Sequence, residues 1–108
     1  MGRYITTTGT SGASIVEVSG AYTARVNDRI LANSSAGAFT ITLPANATLQ
    51  VGDTIQVIDV TGSFATNNVT LARNGSEIQN LTEDLELNLQ NATVTIMYSG
   101  ATYGWILI

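Results

Sequence analysis

The chain has 108 residues, a formal net charge of −4, and neither histidine nor cysteine. Without an imidazole or a thiolate it has no Ser-His-Asp or cysteine chemistry and no soft metal ligand, so we predict no enzyme, no cofactor and no metal site. Its positive charges are too few for a surface that binds a phosphate backbone, which predicts no nucleic-acid partner. These charges are Arg3, Arg25, Arg29 and Arg73.

Residues 1–14 are rich in glycine, serine and threonine, and cannot bury enough apolar surface to fold alone. We predict that they form an extended N-terminal arm. Arg3, Tyr4 and Ile5 are the bulky residues of this arm, and side chains of these types suit an interface with another protein. They are therefore candidate partner-binding residues, with disorder as the alternative.

From Ser14 onward, apolar and polar residues alternate in short segments separated by turn residues, which is typical of β-strands. Pro44 is expected to end a strand, and Asn74-Gly75 is a typical hairpin turn. We predict an all-β fold, with 15–108 as a single domain of seven to nine strands arranged as a compact antiparallel sandwich or barrel. No internal repeat indicates a solenoid. The predicted strands are 15–18, 39–43, 54–60, 69–72, 85–89, 94–98 and 103–108.

Two groups of residues are candidate sites. Tyr103 and Trp105 lie on one face of a predicted strand, where they form either a stacking platform for a sugar or protein partner, or ordinary core packing. Glu83, Asp84 and Glu86 supply oxygen ligands of the type that Ca²⁺ prefers, but no calcium-loop motif surrounds them. We interpret them as a turn followed by the solvent side of a strand.

The mean hydropathy of +0.21 is high for a small domain, and only 11% of residues are charged. Some apolar surface must remain on the outside of a single copy. The composition therefore predicts a homo-oligomer. The chain also lacks an apolar run long enough to span a membrane, so no membrane partner is expected.

The central part of the chain resembles a β-rich module of tailed-phage virion proteins, including fibres and head-associated proteins of phages that infect marine bacteria. The resemblance covers about residues 20–108. It is carried by Gly-Ala-Phe-Thr-Ile-Thr-Leu-Pro at 37–44, Gly-Asp at 52–53 and Asn-Asn-Val-Thr-Leu-Ala-Arg-Asn-Gly-Ser at 67–76. It implies a structural virion component, expected to be a homotrimer, with no catalytic residues to carry over.

Within this family, a chain of this length with an N-terminal arm resembles small capsid decoration, or cement, proteins. The resemblance implies a trimer on the phage head that bridges subunits of the major capsid protein. The alternative is a tail-fibre or baseplate module that binds a host surface glycan through Tyr103, Trp105 or asparagines of the loops. A third interpretation, an enzyme acting on polysaccharide, lacks a placed acid and base pair.

Overall fold

A computed structural model describes residues 14–108, and the fold of this part of the chain consists mainly of strands. A short 3₁₀ helix, Asn46–Thr48, lies between two of them. The nine strands within the described range are β1 (Ser14–Val18), β2 (Tyr22–Thr23), β3 (Asp28–Ala32), β4 (Phe39–Thr42), β5 (Thr54–Asp59), β6 (Val69–Ala72), β7 (Leu85–Leu87), β8 (Thr93–Tyr98) and β9 (Trp105–Leu107).

The strands form two mixed sheets. One has five strands in the order β1-β3-β5-β8-β9, and the other has four in the order β2-β4-β6-β7. Among residues 14–108 four strand pairings are parallel, β1–β3, β3–β5, β2–β4 and β4–β6. The other three are antiparallel. The all-β prediction is confirmed, but the expectation of a mostly antiparallel arrangement is wrong.

The first six strands alternate between the two sheets, so the chain winds as successive coils. Each coil places one strand beside its predecessor in each sheet. The coils have unequal lengths: Ser14 pairs with Asp28 in one sheet, whereas Phe39 pairs with Val69 in the other. Solenoid-like winding is therefore present without a fixed repeat length, which explains why the sequence shows no internal repeat.

Side chains from both sheets contribute to one buried cluster. On the inner strands the buried positions alternate with outward ones, as in β5, where Ile55, Val57 and Asp59 are buried. The fully buried bulky residues are Ile30, Ile41, Leu43, Ile55, Val57, Phe64, Val69, Leu71, Ile96 and Trp105.

The Asp59 carboxylate stabilises both the loop after β5 and the loop before β8. Its carboxylate accepts N–H groups from Ser63 at 2.9 Å, Phe64 at 3.1 Å and Asn91 at 2.8 Å. Burial on its own raises the pKa of Asp59, but these backbone donors together lower it below its ordinary value of 3.8. Asp59 is the last residue of β5, so its carboxylate lies where the chain leaves the sheet.

Asn74-Gly75 does not form the expected hairpin between two strands. Asn74 and Gly75 both have positive φ, but the chain continues through residues 73–84 before β7 pairs with β6. A tight antiparallel turn instead joins Ile78 to Leu81. Its two central residues, Gln79 and Asn80, have φ of 52° and 65°, the left-handed region that such turns need.

Candidate interaction surfaces

Tyr103 and Trp105 do not form a common platform. Trp105 has no exposed surface, and its ring packs against Tyr98 in an edge-to-face arrangement with centroids 5.6 Å apart. Tyr103 lies in the loop before β9 and is 59% exposed. For Trp105 the core-packing alternative is the one that the structure supports, and the prediction that it contacts a partner through its ring is wrong because no part of the ring reaches the surface.

This difference in burial predicts a difference in stability. Trp105→Phe leaves a void among buried residues and is expected to lower the free energy of unfolding by at least about 1 kcal/mol. Tyr103→Ala removes an exposed ring, and we expect a change within about 0.5 kcal/mol. Urea denaturation followed by circular dichroism measures both. Equal losses in the two variants would contradict the assigned burial.

The acidic residues near β7 are spread over a turn and a strand. The Asp84 carboxylate accepts the backbone N–H of Arg73 at 3.0 Å, and Glu86 lies exposed on β7. Among the residues that the structure describes, no group of three or more potential metal ligands comes together. The arrangement agrees with the turn and solvent-side interpretation.

Arg3, Tyr4 and Ile5, the predicted partner-binding residues of the arm, lie outside the described residues. The predicted arm 1–14 overlaps the structure at Ser14 alone, which is the first residue of β1.

The outward side of the five-stranded sheet, which we call the five-strand face, is rich in apolar side chains. Strand register places several of them in two pairs: Ile58 lies next to Leu31, and Met97 lies next to Ile106. The pair Gln56 and Thr95 lies between these two pairs. Ile15 and Ile108 at the two sides of the face are 70% and 68% exposed. The outward residues of this face are Ile15, Glu17, Arg29, Leu31, Thr54, Gln56, Ile58, Thr93, Thr95, Met97, Ile106 and Ile108.

The outward side of the four-stranded sheet, the four-strand face, has a different chemistry. Its outward residues are Thr23, Thr40, Thr42, Thr70, Ala72 and Glu86. Threonine has a high β propensity and a hydroxyl group that water can solvate, so this face is suited to contact with solvent. The two faces therefore differ although they belong to the same small domain.

Sequence reasoning did not identify the five-strand face, although the sequence contains a signal for it. Strands of the five-stranded sheet carry adjacent apolar residues, such as Ile30-Leu31, Val57-Ile58 and Ile96-Met97. In a strand, adjacent residues point to opposite sides, so each such pair places one apolar group inward and one outward.

Within residues 14–108, one edge of the five-stranded sheet is open. β1 pairs with β3 on one side, and none of the described strands lies on its other side. In a parallel ladder alternate residues bond to the same neighbour, and Ser14 and Val18 bond toward β3. The backbone groups of Ile15 and Glu17 therefore point to the open edge.

No protein-family profile matches the chain, and no curated protein matches it significantly. Within residues 14–108 no helix has both the length and the apolar character needed to cross a membrane.

Proposed function

We propose that the protein is a structural component of a tailed-phage virion, specifically a capsid decoration protein. In this proposal three copies form a trimer on the head and bridge subunits of the major capsid protein. The two sheets act as a compact sandwich-like body, and residues 1–14 act as an extended arm that binds the capsid. The protein performs no catalysis.

The observation that carries this proposal is the five-strand face. Half of its outward side chains are apolar, in a chain of which 11% of residues are charged. Exposing these apolar side chains to water costs free energy, which favours a surface that another protein covers. A protein whose role is to assemble with other subunits accounts for this surface. The resemblance of residues 20–108 to phage virion modules supports a tailed-phage virion as the assembly.

The first test is the position of the protein in intact virions, measured by cryo-electron microscopy or by gold labelling. We expect density at regular positions over the head. Density confined to the tail would replace this proposal with the tail-fibre or baseplate alternative.

The tail alternative draws on one exposed aromatic residue, since Tyr103 is 59% exposed and an exposed tyrosine ring can stack on a sugar. It predicts that the protein binds host polysaccharide and that Tyr103→Ala weakens this binding. A glycan array, or titration with purified polysaccharide, measures the interaction.

The role of the arm has its own test. Changing Arg3, Tyr4 and Ile5 together to alanine is expected to abolish attachment to undecorated capsids, because the arm then loses the side chains that can bury apolar area and donate charged hydrogen bonds. Co-sedimentation with capsids measures attachment, and light scattering measures the oligomeric state, which we expect to be unchanged.

The matched control changes Thr6, Thr7 and Thr8 to alanine, which leaves the three bulky residues in place. Attachment of this control at the level of the unchanged protein is the expected result. Full occupancy by the Arg3, Tyr4 and Ile5 variant would show that the arm is not the capsid-binding element.

A further inference from the structure

We propose that the five-strand face is the surface through which copies of this chain associate, with this face turned toward the symmetry axis of the oligomer. The inference deepens the proposed function by naming the self-association surface. It rests on that function only for the expected number of three copies.

The outward side chains of the two faces differ in polarity. A sheet face in contact with water normally carries polar residues at its outward positions. The four-strand face follows this rule with its threonines. The five-strand face instead carries two apolar pairs, Leu31–Ile58 toward one end of its strands and Met97–Ile106 toward the other. The polar residues Arg29, Gln56 and Thr95 lie between these pairs. Because both faces belong to one chain under the same conditions, the difference indicates that the five-strand face is covered.

The charges on the five-strand face favour a second copy as its occupant. The face carries one carboxylate, Glu17 on β1, and one guanidinium, Arg29 on the adjacent β3. Its net charge is therefore zero, although the chain as a whole carries −4. Copies can approach through this face without the mutual repulsion expected elsewhere on an acidic chain, and Glu17 of one copy can pair with Arg29 of another.

The size of the face sets the expected strength of the contact. Five strands about 4.8 Å apart, each contributing about five residues at about 3.3 Å, cover roughly 400 Å² in projection. A standard interface buries about 800 Å² per partner. The face therefore lies at the small end of the range for stable association, and we expect the oligomer to dissociate on dilution.

The first experiment changes one outward residue on an inner strand of each sheet. Ile58→Arg introduces a charge on β5, the middle strand of the five-stranded sheet, and Thr70→Arg introduces the same charge on β6 of the four-strand face. We expect Ile58→Arg to raise the concentration for half-association at least tenfold, and Thr70→Arg to leave it unchanged. Sedimentation velocity over a concentration series measures this, and circular dichroism confirms that both variants are folded.

A second experiment does not require the fold to accept a charged side chain at position 58. The chain contains no cysteine, so a single introduced thiol has no competing partner. Ile58→Cys is expected to cross-link copies on treatment with a short bis-maleimide at a concentration where the protein is associated. Thr70→Cys provides the control and is expected to remain uncross-linked.

The outcomes separate this inference from the proposed function. An oligomer that Ile58→Arg leaves intact and that Thr70→Cys cross-links would overturn the inference while a head location in virions still stood. A protein that remains monomeric at high concentration would also overturn it, since the face would then be covered by a different partner. Loss of association in Ile58→Arg together with a tail location would support the inference and overturn the decoration role.

Discussion

Gly104→Ala is expected to lower the free energy of unfolding by about 4 kcal/mol, a large part of the roughly 5–15 kcal/mol that holds a small domain folded. Three costs contribute: strain at a positive φ of about 1–2 kcal/mol, overpacking of about 1–3 kcal/mol, and loss of a backbone hydrogen bond of about 1 kcal/mol. Gly104 has a φ of 68°, and a Cβ there would lie 2.3 Å from the backbone oxygen of Glu77.

The clash at Gly104 involves backbone, which cannot move aside as a flexible side chain can. The same Glu77 oxygen accepts the N–H of Trp105 at 2.7 Å, so displacing it breaks the contact between β9 and the segment beside it. Trp105 is buried in the core. Breaking its hydrogen bond to Glu77 is therefore expected to disturb the packing between the two sheets as well as the turn. Urea denaturation of the purified variant measures the change.

Alanine substitutions at two other glycines separate the cost of backbone strain from the cost of the steric clash. Gly52 has a φ of 99° with open space around its Cβ position, so Gly52→Ala is expected to cost only the backbone strain, about 1 kcal/mol. Gly20 has open space and no φ in the left-handed region, so Gly20→Ala should change stability little. A Gly104→Ala variant as stable as Gly52→Ala would show that the Glu77 backbone does not lie where the structure places it.

Asp59→Ala is the second change with a large expected effect, a loss of about 3 kcal/mol. It leaves the N–H groups of Ser63, Phe64 and Asn91 without their acceptor, and each unsatisfied buried donor costs about 1–3 kcal/mol unless water reaches it. Asp53→Ala is the matched control, because the Asp53 carboxylate accepts one exposed N–H, that of Gln50. We expect the control to lose less than about 1 kcal/mol in the same denaturation assay.

The pH dependence gives an independent test of Asp59. Its pKa is lower in the folded state than in the unfolded state, so the folded state takes up a proton less readily. The stabilisation is therefore fully present above the ordinary value of 3.8 and is lost as the pH falls through the lower folded pKa. In Asp59→Asn this contribution disappears, and we expect a shallower fall of the free energy of unfolding between about pH 5 and pH 2. A slope equal to that of the unchanged protein would contradict the assigned hydrogen bonds.

The positions of most strands could be predicted from the sequence because alternation and turn residues are local signals. The segment 69–72 is correct at both ends, and the segment 54–60 is one residue too long. β3 was missed although it lies inside the five-stranded sheet. Its residues Ile30-Leu31-Ala32 form a continuous apolar run, which hides a period of two because the strand is apolar on both sides.

The direction of pairing could not be predicted from the sequence. Alternation shows that a segment is a strand with one buried side, but a parallel and an antiparallel neighbour produce the same pattern. Parallel strands usually need a helical crossover, and no helical pattern was present, which favoured the antiparallel interpretation. Here the crossover is made by a strand of the other sheet: the chain between β1 and β3 passes through β2.

Trp105 shows why a candidate site could not be assigned from the sequence alone. A tryptophan near tyrosines fits a binding platform and a core equally well, and the decision depends on which strands lie on each side of β9. The five-strand face was missed for a related reason, since an outward apolar side chain is recognised only once the sheet to which it belongs is known.

The order of strands in the five-stranded sheet has a consequence for the rate of folding. The outer pairs β1–β3 and β8–β9 are joined by the short segments 19–27 and 99–104, so each can form locally. The central strand β5 is separated from β3 by residues 33–53 and from β8 by residues 60–92, and closing these longer loops costs additional chain entropy. We therefore expect the insertion of β5 between the two outer pairs to be the slow step, with folding in milliseconds to seconds, as in other domains dominated by non-local strand pairing. Newly synthesised chains would spend that interval with the edges of both pairs unprotected.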